Sequence, residues 1–334
     1  MTETGTSSSA GTSSTTGTPA GGLVPAARVE PADHAPSAPS APVEAAAPVG
    51  AAPPAREYAE SRFRLSQVIR GEHGEHGVRV TMQLGPWLDG PDGIATIGSL
   101  GVLVDSAIGM EVYDSRPENS HSVTAELSLD VITSPPWSGA LLTASAELLG
   151  RDPAGGTARC EVRDDAGRLI AVGIGRCRFV SIPGTAAGYL DGEPQMLPPA
   201  AHHSLLEALS RADARGPGGD GIIAGPVRDG DVGRFLLPAN PAFENGGGTV
   251  HGGVLFCAAE LATEALADPA VPERTTAIRL NYLRPAALAA AVTATAELVH
   301  RGRTVSLYRV TTAGPAGKPA TLTTITRERG TPVF

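Results

Sequence analysis

Residues 245–268 read NGGGTVHGGVLFCAAELATEALAD, a polar, glycine-rich loop running into a helix. From Val254 onward the apolar residues Val254, Ala258, Leu261 and Ala265, with Leu255, Ala262 and Leu266 beside them, keep helical spacing. Glycine costs helix stability, so Gly246, Gly247, Gly248, Gly252 and Gly253 at the entrance imply that something approaches the backbone closely. A helix N-terminus also offers unpaired N–H groups and a positive dipole end, which suit a carbonyl oxygen that gains negative charge.

A second stretch, residues 93–110, reads GIATIGSLGVLVDSAIGM and holds one charged residue, Asp105. On a helix, Gly101, Asp105 and Gly109 share a face one turn apart. A buried carboxylate is costly unless it is used, so Asp105 is expected to line a desolvated cleft. Strand-like segments follow at 122–131, 140–149, 157–163 and 169–180, with turn chemistry at 152–156 and 164–167. The pattern then repeats. Thr143-Ala144-Ser145-Ala146-Glu147-Leu148 returns as Thr293-Ala294-Thr295-Ala296-Glu297-Leu298, 150 positions later, and Asp105 is answered by Glu260. An ordered repeat of this length predicts two like domains in one chain.

Asn245, five residues, His251-Gly252-Gly253, and an acid nine residues after the histidine resemble the acyl-CoA thioesterases of the PaaI type, within the hotdog fold. That family usually carries Asp where this chain has Glu260. Residues 281–286, NYLRPA, resemble its strand-end motif, and the resemblance covers about residues 75–330. It implies an α+β double hotdog, two long helices each wrapped by an antiparallel sheet. The expected domains are a Ser/Thr/Ala/Pro-rich tail at 1–57, an N-terminal hotdog at 58–182, a linker at 183–228 with a helix at 202–213, and a C-terminal hotdog at 229–334.

Gly252 and Glu260 lie eight residues apart on one helix, roughly 12 Å along its axis. One carbonyl cannot bond to the first and touch the second, so the acid serving it must come from another helix. In the family that helix belongs to a second subunit; here the first half can supply it. Aligning Asp105 with Glu260 sets Thr96-Ile97-Gly98 against His251-Gly252-Gly253, and Gly90 against Asn245. One composite site is therefore complete: Asn245, His251 and Gly252 facing Asp105 and Thr124. The other, Glu260 and Thr275, faces an entrance without Asn or His and reads as degenerate.

The resemblance implies hydrolysis of an acyl-CoA to free acid and thiol. The Gly252 N–H and the Asn245 side chain would hold the carbonyl oxygen, Asp105 would act as general base or as nucleophile, Thr124 would orient water or acid, and His251 would shape the loop. A non-catalytic acyl-CoA-binding hotdog is the alternative. No Asp-x4-His of the hotdog hydratases occurs, and no G-x-S-x-G of a serine hydrolase.

Composition agrees with this reading. The 334 residues carry a net charge of −9 with no basic run, which argues against a nucleic-acid surface. Three scattered cysteines fit reduced thiols in the cytoplasm. The first 57 residues cannot bury enough apolar surface to offset chain entropy, and they do not read as a secretory signal. No run is long and apolar enough for a membrane span. Glu72-His73-Gly74-Glu75-His76 reads as a solvated loop and not a metal site. No cofactor is expected. The sequence leaves open the acyl group, its carrier, and whether two chains form a homodimer.

Overall fold

The computed structural model describes residues 58–70, 77–181, 204–210, 224–245 and 247–330. In chain order the elements are α1 (Ala59–Arg62), β1 (Leu65–Arg70), β2 (Val78–Gln83), α2 (Leu100–Asp114), β3 (Ser120–Val131), β4 (Leu141–Asp152), β5 (Gly155–Asp164) and β6 (Leu169–Ser181). Then come α3 (Leu205–Ala208), β7 (Val227–Asp229), β8 (Val232–Leu237), α4 (Gly252–Glu264), β9 (Glu273–Tyr282), β10 (Val292–Arg301), β11 (Val305–Ala313) and β12 (Pro319–Arg329). All strand pairs are antiparallel, and twelve strands form one sheet in the order β1-β2-β4-β5-β6-β3-β9-β12-β11-β10-β8-β7.

Read outward from the central pair, β3 is followed by β6, β5, β4, β2 and β1, while β9 is followed by β12, β11, β10, β8 and β7. The two arms have the same connectivity. At the seam Ser128 pairs with Arg279, and Thr124 and Thr275 stand 151 positions apart, as Ser128 and Arg279 do.

Each arm packs on one helix. α2 has 15 residues and α4 has 13, and nearly every side chain of both is buried, which is why neither shows a clean polar face. The two helices pack on each other at glycines. A Cβ on Gly253 would lie 2.4 Å from the backbone of Val102, and one on Gly101 would strike the Phe256 side chain at 2.7 Å. Of the glycines at the α4 entrance, Gly253 meets the close approach read from the sequence, while Gly248 has nothing near it. Gly109, on the Asp105 face, instead looks into open space.

The helix that sets Gly101, Asp105 and Gly109 on one face is α2, which begins at Leu100. The preceding residues are spent on a turn: Gly93 sits at φ 75°, Gly90 N–H bonds to the Ile94 carbonyl, and the Thr96 hydroxyl accepts from Ser99 N–H. Of the helix expected at 202–213, the described part is α3, capped by the Ser204 side chain. It is more than a linker. Leu205, Ala208 and Leu209 join the core, and the buried Arg62 donates to the carbonyls of Ala208 and Ser210. The 72–76 cluster and the whole tail at 1–57 lie outside the described residues, as do His202 and His203.

Candidate active site

The site forms where the N-terminus of α4 meets the middle of α2. His251 is the N-cap of α4, and its Nδ1 accepts from Gly253 N–H at 3.0 Å. The same N–H bonds to Asp105 Oδ2 at 3.1 Å, and Thr124 donates to Asp105 Oδ1 at 2.8 Å. Residues 148 positions apart in sequence are thus joined directly, and Asp105 is only 8% exposed. A β-bulge makes the Thr124 contact available. The register of β3 against β6 shifts between Thr124 and Glu126, so Ser122 and Thr124 face inward before the bulge, and Leu127 and Leu129 after it.

Gly252 opens α4, so its N–H has no acceptor within the helix, and none faces it among the described residues. It is the N–H of Gly253, one residue on, that the carboxylate of Asp105 takes. The Gly252 donor stays free beside that carboxylate. A Cβ on Gly252 would lie 2.6 Å from Asp105 Oδ2 and 2.7 Å from the Tyr282 hydroxyl, so only glycine leaves this space open. Asn245 sits on the approach loop, its Oδ1 accepting from the N–H groups of Gly247 and Thr249. That fixes the carboxamide plane and leaves its NH₂ to donate elsewhere.

His251 is buried behind the mouth. Its Nε2 lies 3.3 Å from the Ser106 hydroxyl and 3.4 Å from Glu60 Oε1, and its Nδ1 lies 3.4 Å from Asp105 Oδ2. With Nδ1 accepting from Gly253, a neutral ring carries its proton on Nε2, toward Glu60. Burial disfavours the charged ring, but Glu60, and then Asp105, outweigh it and raise the His251 pKa. Burial likewise pushes Glu60 up, and His251 more than cancels this, leaving that carboxyl below its ordinary value.

Cys177 pairs with Thr124 across the sheet, and burial, with Asp105 nearby, pushes its thiol up to about 12. It is therefore a neutral wall and no nucleophile. Tyr282, at the end of β9, is driven well above its ordinary range by burial, by Asp105 and by Cys177. Its hydroxyl is buried without a hydrogen-bond partner.

The second entrance has the same frame. Gly98 N–H bonds to Glu260, as Gly253 does to Asp105, and the register of β9 shifts between Thr275 and Ala277. Its contents differ. The position that corresponds to Gly252 is Ile97, a buried side chain 4% exposed. Arg327 pairs with Thr275 as Cys177 does with Thr124, and donates to it at 3.2 Å. Arg327 also bonds to Glu264 and is buried enough to lower its pKa against the pull of Glu260 and Asp92. The Thr275 hydroxyl therefore serves an arginine.

Of the residues predicted for the complete site, Asp105, Thr124, His251 and Gly252 come together, with Asn245 on the loop above. Glu60, Ser106, Cys177 and Tyr282 were not predicted. For Tyr282 a signal existed, since it lies inside the NYLRPA segment. The described residues hold no group of His, Cys, Asp and Glu fit for a metal ion, and no helix among them is long and apolar enough to cross a membrane.

Residues 240–328 match the family model of the acyl-CoA thioesterase N-terminal domain. No curated protein matches the chain in sequence. Among solved structures it is similar to a Lactobacillus plantarum protein assigned as an oleoyl thioesterase, at 12% identity and TM-score 0.51, covering 78% of this chain and 99% of that one. A Thermobifida fusca protein assigned as a thioesterase II matches at 13% identity and TM-score 0.50, covering 82% of this chain and 98% of that one. A hot dog fold protein of unknown function from Alicyclobacillus acidocaldarius gives the same identity, coverage and score. At such identities the likeness establishes the fold, which is the hotdog.

Proposed function

We propose that this chain hydrolyses acyl-CoA thioesters at one composite site between two hotdog halves, of the PaaI-like arrangement, with the halves as the domains expected at 58–182 and 229–334. That it is a thioester hydrolase rests on the acyl-CoA thioesterase domain matched at residues 240–328. The observation that carries the composite site is the pair of bonds on one carboxylate: Asp105 takes Thr124 from its own half and Gly253 from the other.

The thioester carbonyl oxygen sits at the free N–H of Gly252, where the positive end of α4 and the Asn245 carboxamide add to its stabilisation. Asp105, oriented by its two donors, either takes a proton from water as that water attacks, or attacks the carbonyl carbon itself to give an anhydride that water then opens. In both cases the C–S bond breaks and the thiolate leaves. Open space at Gly109, one turn along α2 on the Asp105 face, provides room for the ligand. His251 sets the loop through its cap and carries no proton in the step. Glu260 and Thr275 form the degenerate second site.

The test is a hydrolysis screen over short, long and aryl acyl-CoA substrates with a thiol reagent as the readout. Thiol release that is lost in Asp105→Asn supports the reading. Tight acyl-CoA binding with no release from any substrate would make the protein a carrier instead.

A further inference from the structure

The mechanism above leaves one group at the mouth of α4 unused. The Tyr282 hydroxyl is buried and has no hydrogen-bond partner, although Asp105 is close to it. Such a group is costly to leave unsatisfied, and one at a binding site is accounted for when a ligand completes it. Its position is narrow. The hydroxyl and Asp105 Oδ2 both lie within 2.7 Å of the same point, the place a side chain on residue 252 would occupy. That point adjoins the free N–H of Gly252.

We propose that Tyr282 is a catalytic residue: its hydroxyl donates a hydrogen bond to the thioester carbonyl oxygen held at the Gly252 N–H. This rests on the functional reading above and adds a residue to it. Three features support it. First, the phenol stays protonated, because burial and then Asp105 and Cys177 drive its pKa well above the ordinary tyrosine value, so it is a donor and not an anion. Second, the oxygen gains negative charge close to the carboxylate of Asp105, and a neutral donor beside both offsets their repulsion. Third, the corresponding position on β3, 151 residues earlier, is Val131, so the entrance that lacks Asn, His and an open glycine lacks the hydroxyl too. The step needs no proton to move. The hydrogen bond shortens as charge builds and relaxes as the thiolate leaves.

Tyr282→Phe keeps the ring and removes only the donor. Loss of one such donor costs on the order of 10²-fold in kcat, and KM should stay within about threefold if the bond strengthens in the transition state. The variant should melt no lower than wild type, because the lost hydroxyl bonds to nothing in the free protein. Equal kcat in both proteins overturns the proposal, and so does a slow variant that is also less heat-stable.

A second readout does not depend on turnover. A dethia acetyl-CoA ketone, labelled with ¹³C at its carbonyl, cannot be cleaved, and bound to wild type its carbonyl resonance should move downfield of the free ligand. Tyr282→Phe should lose part of that shift. A shift unchanged by the substitution overturns the proposal. If the ketone shifts as expected but wild type hydrolyses no acyl-CoA, the donor stands and the hydrolytic reading falls. No binding to wild type overturns both.

Discussion

At one helix mouth Gly253 donates to Asp105 and Thr124 caps the other carboxylate oxygen; at the second, Gly98 donates to Glu260 while Thr275 is taken by Arg327. The backbone frame, the bulge and the threonine are shared. What differs is space and charge. Gly252 leaves a gap in front of the carboxylate, and the corresponding position at the second mouth is the buried Ile97; Cys177 is a neutral wall and Arg327 a buried cation. On the proposed assignment a helix N-terminus with an acid opposite is not enough for the chemistry: the acid must also be free of a competing cation and open to a ligand.

The largest expected effect separates the two acids. Asp105→Asn should lower kcat about 10³-fold, the range of a lost general base, while Glu260→Gln should leave turnover per folded molecule within about threefold, the spread expected away from the reacting centre. Steady-state kinetics on the two variants decides it. The reverse pattern would mean that the working and silent entrances have been exchanged.

Next is Arg327, the cation at the second entrance. Arg327→Met removes the partner of the half-buried Glu264 and the cation beside the buried Glu260, and leaving a buried carboxylate without its cation costs about 3 kcal/mol. Urea unfolding should show that loss while hydrolysis per folded protein is unchanged. A large drop in turnover without a drop in stability would give Arg327 a catalytic part.

The gap itself comes third. Gly252→Ala puts a methyl within 2.7 Å of both Asp105 and Tyr282. About a 10²-fold loss in kcat/KM is expected from displacing the donor, with no comparable effect when Ile97 is shortened to Val on the other side.

The smallest effect concerns the support behind the working mouth. The His251 pKa is raised, so its contribution to stability is complete below its ordinary value of 6.5 and fades as pH rises through the raised value. The Glu60 pKa is lowered, so its share is complete above its ordinary value of 4.5 and fades as pH falls through the lowered one. The pair is strongest between those limits. Glu60→Gln should therefore lower Tm by a few degrees at pH 5.5, equivalent to about 1–2 kcal/mol, and by less at pH 8.5. An equal loss at both values would mean that Glu60 acts by packing alone.

Much of this comparison was legible in the chain. Periodicity and glycine content located α4, the lone charge located Asp105, and the family resemblance together with the repeat implied that the two should meet. The distance along one helix between Gly252 and Glu260 already ruled out a site within a single half. The walls were not legible. Cys177 and Arg327 occupy related places only because β6 and β12 pair with related strands, and nothing in their local sequence marks them. Glu60 comes from a four-residue helix with too little periodicity to detect. The turn at Gly93 and the bond from Gly98 to Glu260, which hold residues 94–99 outside α2, have no mark in the local sequence either. A pattern records which side chains avoid water; it does not record which backbone groups a distant residue will claim.

The central seam bears on assembly. Ser128 faces Arg279 where β3 meets β9, and the guanidinium reaches Asp130 at 2.6 Å and the Leu129 carbonyl at 3.1 Å. In a symmetric dimer about the same axis each of these residues would face its own copy. Two C-terminal halves would then set Arg279 against Arg279, with Asn281 where Asp130 now stands, and like charges directly opposed destabilise a strand pair. The seam thus disfavours a pair of C-terminal halves, which on the proposed assignment would set two glycine mouths together with no Asp105 opposite either.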